Sequence, residues 1–592
     1  MIDQDLNCPL LRDRAVMAAR GDGAFDVLVA GGCVADVATG EVRAADVGLV
    51  GPLIASVHPR GARGDAARVI DATGGVVAPG LIDSHMHIES AMVTPHTYAA
   101  AIAQRGVTTL VWDPHEFANV AGDAGVDYAR AAAAAAPVRI LPQVPSCVPS
   151  APGFETAGAD FDAATIARLL ADAPAGLAEV MDMAAVTARA PRMRAILQAA
   201  LAAGRPVNGH ARGLTGAGLQ AYCAAGVTSD HEVTSAADLL EKLRAGLSVE
   251  LRGSHAYLLP EFVEALSGLP QWPQTLTIAT DDVFPDDLLA SGGLDHVLSQ
   301  LVALGMPSMA ALQAATLNAA RRLGRPDLGH IAPGRRADLV VFDDLKRFAA
   351  RTVLIDGAAP VAGPAPAPPE GLSGSMRLPA LSPEDFVLRA DGAAVTLATI
   401  ANPRFTAWGS VTAPVVAGAV QLPAGATMIA VAHRHGQRAS TPALGVLTGW
   451  GDWRGAFATT VSHDSHNLTV FGRDPHDMAA AANALVGSGG GMAVAKDGAV
   501  VAHLALPVGG LVSDAPLERV AQGFADVRAA AGTIVDWAPP YLVFKALVGA
   551  TLACNKGPHQ TDLGIADPLG GRLLRSPIVG QGESASRDTA SQ

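Results

Sequence analysis

Between residues 80 and 325, short apolar runs that read as strands alternate with Ala- and Leu-rich runs that read as helices. The candidate strands end at His85, at Asp113, near Pro145, at Glu179, at His210, at His231, near Leu251 and at Asp281. Eight such repeats leave few folds open. Parallel neighbours need a long crossover between them, and eight strand–helix units imply a parallel barrel. Chemistry in such barrels sits at the C-terminal ends of the strands, which is where the polar residues of this series fall.

The flanking segments read differently. Leu10 to Ala19 is apolar-periodic and predicts a short helix ending at Gly21. From Asp26, short β-runs with Gly and Asp turns follow, and Ala337–Phe342 and Thr352–Ile355 return to that pattern after the barrel. The expected class is therefore α/β. It comprises a (β/α)8 TIM-like barrel over 80–325, a small discontinuous β-sandwich from 25–79 and 326–375, a helical segment over 1–24, and a C-terminal α+β domain over 380–592. The Pro- and Ala-rich stretch 359–369 reads as a stiff linker. The Gly- and Ser-rich tail after Ser576 is expected to fray.

Composition excludes several function classes. Only 17% of the 592 residues are charged and half are hydrophobic, a globular rather than a disordered profile. A net charge of -14 without a long basic run offers no footprint for nucleic acid or for an anionic membrane. The five cysteines are scattered, with no C-x-x-C spacing, so neither a disulfide framework nor a zinc knuckle is expected. The start Met1-Ile2-Asp3-Gln4-Asp5 lacks signal-peptide character, and no apolar run is long enough to span a bilayer. A cytoplasmic, homo-oligomeric protein (dimer or tetramer) is expected.

His85-Met86-His87 is the first chemical signal. On an extended segment, residues i and i+2 point the same way, so two imidazoles can aim at one metal. Alone, the pair is weak. Glu179, His210, His231 and Asp281 each have an ordinary structural reading too: a solvated strand-end carboxylate, two satisfied histidines and a helix N-cap. Together they form the order His-x-His, Glu, His, His, Asp on strands one, four, five, six and eight. Four imidazoles and two carboxylates suit two divalent cations sharing an oxygen. Glu179 would bridge them, with His85, His87 and Asp281 on one ion and His210 and His231 on the other.

This arrangement resembles the amidohydrolase superfamily, as do Gly31-Gly32-Cys33-Val34-Ala35-Asp36, Ala315-Thr316-Leu317-Asn318 and Gly334-Arg335-Arg336-Ala337-Asp338. Many members of that superfamily bridge their metals with a carboxylated lysine. No lysine precedes Lys242 here, which excludes one on strand four and leaves Glu179 in the role. Further motifs narrow the resemblance to the bacterial adenine deaminase family: His87-Ile88-Glu89-Ser90, Asp113-Pro114-His115-Glu116, Gly209-His210-Ala211, Asp230-His231-Glu232 and Thr280-Asp281-Asp282. In the C-terminal region, Ser462-His463-Asp464-Ser465-His466-Asn467 and Gly489-Gly490-Gly491-Met492 agree. Arg252-Gly253-Ser254-His255 departs from it, lacking an acidic residue associated with the strand-seven motif.

The resemblance implies hydrolytic deamination of adenine to hypoxanthine and ammonia by a bridging hydroxide, in purine salvage, with Mn2+ or Fe2+ as the metal and Zn2+ compatible. Asp281 would carry the proton from the nucleophile to the leaving amine. Glu89, Glu116 and Glu232 are candidates to protonate ring N1. His115 has three open roles beside a structural one: substrate contact, support of a ligand, or an extra metal. For His463 and His466 a packing role is expected ahead of catalysis. The alternatives are another aminopurine, a cyclic amide, or an inactive scaffolding relative.

Overall fold

A computed structural model describes residues 4–173, 175–403, 405–438, 440–536, 547 and 549–581. The chain forms two compact units. The first comprises Met1–Pro114, Asp127–Ser146 and Asp162–Ala367, and the second His115–Val126, Cys147–Phe161 and Pro368–Gln592. Two excursions from the barrel segment thus belong with the C-terminal residues.

In the first unit, helix Pro9–Arg20 starts at a proline and stops at Gly21, whose φ of 91° a residue with a Cβ rarely adopts. An eight-stranded sheet follows, and two distant segments build it. Leu339–Phe342 lies antiparallel to Val76–Pro79 on one side and to Ala350–Leu354 on the other. Val47, Leu49, Val77, Leu339 and Val341 share its core.

Eight parallel strands come next: Leu81–Met86, Val107–Trp112, Arg139–Pro142, Leu177–Val180, Val207–Gly209, Ser229–Asp230, Ser248–Arg252 and Leu276–Ala279. The first three pair in sequence, as do the fourth with the fifth and the last three together. A parallel bridge Val144–Leu177 joins the third strand's extension to the fourth, and Thr228 N–H donates to the Val207 carbonyl between the fifth and sixth. A bridge Met86–Asp281 joins the first strand to the end of the eighth. The succession is consistent with a TIM-like barrel. Val107–Trp112 is buried at every position, as a strand covered on both faces must be, and its Val and Thr residues suit that surface. Between strands, helix Ala163–Leu170 shows how the sequence sets an element. Asp162 caps it by accepting from Thr165 N–H, and Ile166, Leu169 and Leu170 make its buried stripe.

The second unit contains a ten-stranded sheet, from Ala419–Val420 to Ala499–Ala505, and helix Pro475–Ser488. Leu397, Val446, Val470 and Leu485 lie in its core. The triple glycine has a steric cause: Gly489 ends the helix at φ 82°, and a Cβ on Gly491 would sit 1.9 Å from the Leu504 carbonyl oxygen. The tail expectation needs correcting at its start. Ile578–Gln581 is a strand pairing with Ala394–Ala401, because β-branched Ile578 and Val579 outweigh the polar composition around them. The remainder, 582–592, lies outside the described residues. Among the described residues no helix is long and apolar enough to cross a membrane, and all five cysteines are free thiols.

Candidate metal centre and active site

Six strand-end side chains from the first unit converge. His85 Nε2 lies 3.0 Å from His87 Nε2, and both lie 3.5 Å from Asp281 Oδ1. Glu179 reaches three imidazole nitrogens. Its Oε1 is 3.3 Å from His87 Nε2, and its Oε2 is 3.2 Å from His231 Nε2 and 2.6 Å from His210 Nδ1. The His85 and His231 rings stack with centroids 4.0 Å apart. All six residues are buried, none more than 4% exposed.

Neighbouring backbone sets these positions. Asp281 N–H donates to the His85 carbonyl and His87 N–H to the Asp281 carbonyl, which locks the ends of strands one and eight together. Asp281 itself sits at φ 61°, an uncommon conformation for a residue with a side chain. The Asp113 carbonyl accepts from His87 Nδ1 at 3.2 Å, so the ring proton resides there and Nε2 presents its lone pair to the cluster. The Tyr222 hydroxyl accepts from His210 N–H at 3.0 Å.

Electrostatics favour a cation at this point. Burial raises the Glu179 carboxyl, but His210 and His231 outweigh it and hold the group well below the ordinary carboxylate range. Burial likewise opposes ionisation of Asp281 and loses to Arg252, then His85. His85 is pushed down by burial and by His231. Burial also acts against protonation of His231, yet Glu179 pushes it up to about 9. The two carboxylates draw positive charge into a buried space, and a metal can replace the protons that supply it.

The residues fit divalent ions by spacing as well as by type. Bonds from imidazole or carboxylate to such an ion run about 2.0–2.2 Å, so two donors on one ion sit about 3.0–3.5 Å apart. The separations around His85, His87, Asp281 and Glu179 fall in that range; the 2.6 Å His210–Glu179 contact is a hydrogen bond whose proton the ion would displace. Mixed nitrogen and oxygen donors suit first-row divalent metals.

A second layer surrounds Asp281. Arg252 Nη1 donates to its Oδ2 at 2.9 Å and Ser254 Oγ to the same atom at 2.6 Å. Arg252 also grips both oxygens of Glu232, at 2.5 and 2.7 Å, and Arg212 adds a third donor to Glu232 at 2.6 Å.

Comparison with known proteins places the chain in a family. The amidohydrolase family model matches residues 76–361, and the model described as the adenine deaminase C-terminal domain matches 403–569. "Adenine deaminase 2" of Rhizobium meliloti is 61% identical, across 97% of this chain and 98% of its own length. "Adenine deaminase 2" of Agrobacterium fabrum is 60% identical over the same shares. "Adenine deaminase" of Klebsiella pneumoniae subsp. pneumoniae is 50% identical across 96% of each chain.

The chain belongs to the adenine deaminase family.

For a member of the adenine deaminase family, the remaining sequence candidates separate into three settings. Glu89 follows strand one in a short helical turn, is buried, and accepts from Trp112 Nε1 at 2.9 Å. Glu232 is the arginine-held carboxylate; burial raises it, but Arg252 and Arg212 hold it well below its ordinary range. His115 and Glu116 open helix His115–Ala121 in the second unit, beside His463, Asp464 and His466. Arg252 and Ser254 were not candidates from sequence. Their signal was a polar pair at the end of strand seven, legible only as a departure from the expected motif. Lys242, the first lysine of the chain, is committed to Asp230 and Asp238 at 2.8 and 3.1 Å.

Proposed function

We propose that this protein hydrolyses adenine to hypoxanthine and ammonia at the six-residue cluster. The similarity to adenine deaminases across 97% of the chain carries the reading, and the retention of all six donors argues against an inactive scaffold. In this reading His85, His87 and Asp281 would hold one ion and His210 and His231 another, with Glu179 shared between them, and the ions would be Mn2+ or Fe2+. When bound, the ions supply a water acidic enough to attack a ring carbon near neutral pH.

The chain's own residues supply orientation and proton transfer. Asp281 accepts a proton from the attacking water and delivers it to the departing amine, which leaves as ammonia. Arg252 and Ser254 fix its Oδ2 and leave Oδ1 toward the reaction. Glu232, held ionised by three arginine N–H groups, is a poor acid and serves to orient Arg252. Glu89 then becomes the favoured donor to ring N1, with Trp112 fixing its carboxyl.

The reading extends to the complete (β/α)8 barrel, the discontinuous β-sandwich of 25–79 and 326–375, the C-terminal domain of 380–592, and a cytoplasmic homo-oligomer. The experiment is incubation of Mn2+- or Fe2+-loaded protein with adenine, following hypoxanthine and ammonia. Equimolar release of both is expected. Turnover of a hydantoin or lactam with none of adenine would overturn the proposal.

A further inference from the structure

The second unit holds another group of metal-type donors, all within that unit. His115 Nε2 lies 3.5 Å from Asp464 Oδ1, and His463 Nδ1 lies 3.7 Å from the same oxygen. His463 Nδ1 is also 3.6 Å from Glu116 Oε1, and His466 Nε2 is 3.9 Å from Glu116 Oε2. These gaps exceed a hydrogen bond, about 2.7–3.2 Å. They lie within a few tenths of an ångström of the spacing, about 3.0–3.5 Å, of two donors on one ion with bonds of 2.0–2.2 Å.

Asp464 provides the independent observation. Its side chain is 1% exposed, and neither carboxylate oxygen has a hydrogen-bond partner among the described residues. Its ion-pair neighbours among those residues are His115 and His463 alone, with no lysine or arginine. A buried carboxylate so placed is costly unless a cation meets it. His466 Nε2 is likewise buried without a hydrogen-bond partner. His463 keeps 15% side-chain exposure, which leaves a route in.

The geometry points to a further divalent-metal site in the second unit, formed by His115, His463 and Asp464 with Glu116 and His466 beside them. Its mixture of imidazole and carboxylate selects a first-row ion such as Zn2+ or Mn2+ over Mg2+ or Ca2+. The ion clips helix His115–Ala121 to the loop that precedes strand Leu468–Gly472, two parts of the unit far apart in sequence. A ligand bound only by the folded state stabilises it, so the site also predicts metal-dependent melting.

The full-length chain carrying His85→Ala, His87→Ala, His210→Ala and His231→Ala, which strips imidazoles from both barrel ion positions, tests this apart from the barrel cluster. After dialysis against Zn2+, we expect one Zn2+ per chain by elemental analysis and an anomalous diffraction peak among His115, His463 and Asp464. Adding Asp464→Asn and His463→Ala removes that ion and the rise in melting temperature caused by Zn2+. No bound Zn2+ in the first variant, or no loss in the second, overturns the proposal. Should either variant fail to fold, by circular dichroism, the anomalous map of the unsubstituted protein decides: a peak at this site supports it and its absence overturns it. Peaks confined to the barrel would defeat this site and leave the barrel reading intact. A peak here alone would do the reverse.

Discussion

At Asp281, Arg252 and Ser254 occupy one carboxylate oxygen while the other faces His85 and His87. Arg252 therefore sets the basicity of the proposed proton carrier. Arg252→Met removes a positive charge beside a carboxylate, so the Asp281 pKa rises, by about 1–3 units for such pairs. Because the ionised form is the base, the acid limb of kcat/KM for adenine should move to higher pH by that amount. An unmoved limb would separate Asp281 from proton transfer. Asp281→Asn keeps the shape and removes the basicity, so turnover should fall by about 10²–10⁴ while most of the metal is retained. Glu179→Gln should instead lower the content of both barrel ions, read by elemental analysis. Behind strand six, Lys242→Met strips Asp230 and Asp238 of their buried partner, at a cost of about 3–5 kcal/mol in denaturant unfolding. The six converging residues were legible because each is a metal-type residue at a strand end. Arg252 and Ser254 were not, because hydrogen bonds to a carboxylate leave no mark in spacing.

Elements were legible in proportion to how local their causes are. Helix Pro9–Arg20 announces its stop with Gly21, and helix Ala163–Leu170 its start with Asp162. Asp162→Ala should therefore lower the midpoint of chemical denaturation, as the loss of an exposed N-cap does. The barrel strands were placed by apolar runs ending in polar residues, and their ends fall within three residues of the observed ones. Ile578–Gln581 was missed because its pairing partner, Ala394–Ala401, lies far away in sequence. The same blindness applies to His115–Val126 and Cys147–Phe161. Both read as barrel connections, and only packing assigns them to the other unit.

For the whole molecule, the charge of -14 has a kinetic consequence. Adenine is neutral near pH 7, so no long-range field steers it. The ratio kcat/KM should change less than about twofold between low and physiological salt, unlike steered encounters, which fall steeply. A steep salt dependence would point to a charged substrate instead. The chain-long pattern fixed the fold class because a parallel barrel needs its repeats in order. The sheet that flanks it carries a different demand. Val76–Pro79 cannot gain its neighbour Leu339–Phe342 until the whole intervening barrel has left the ribosome. At about 5–20 residues per second, that strand edge waits for roughly tens of seconds of synthesis. Nascent chains halted just before Leu339 should then expose the edge to protease or chaperone, and the barrel's emergence becomes the clock for completing its neighbour.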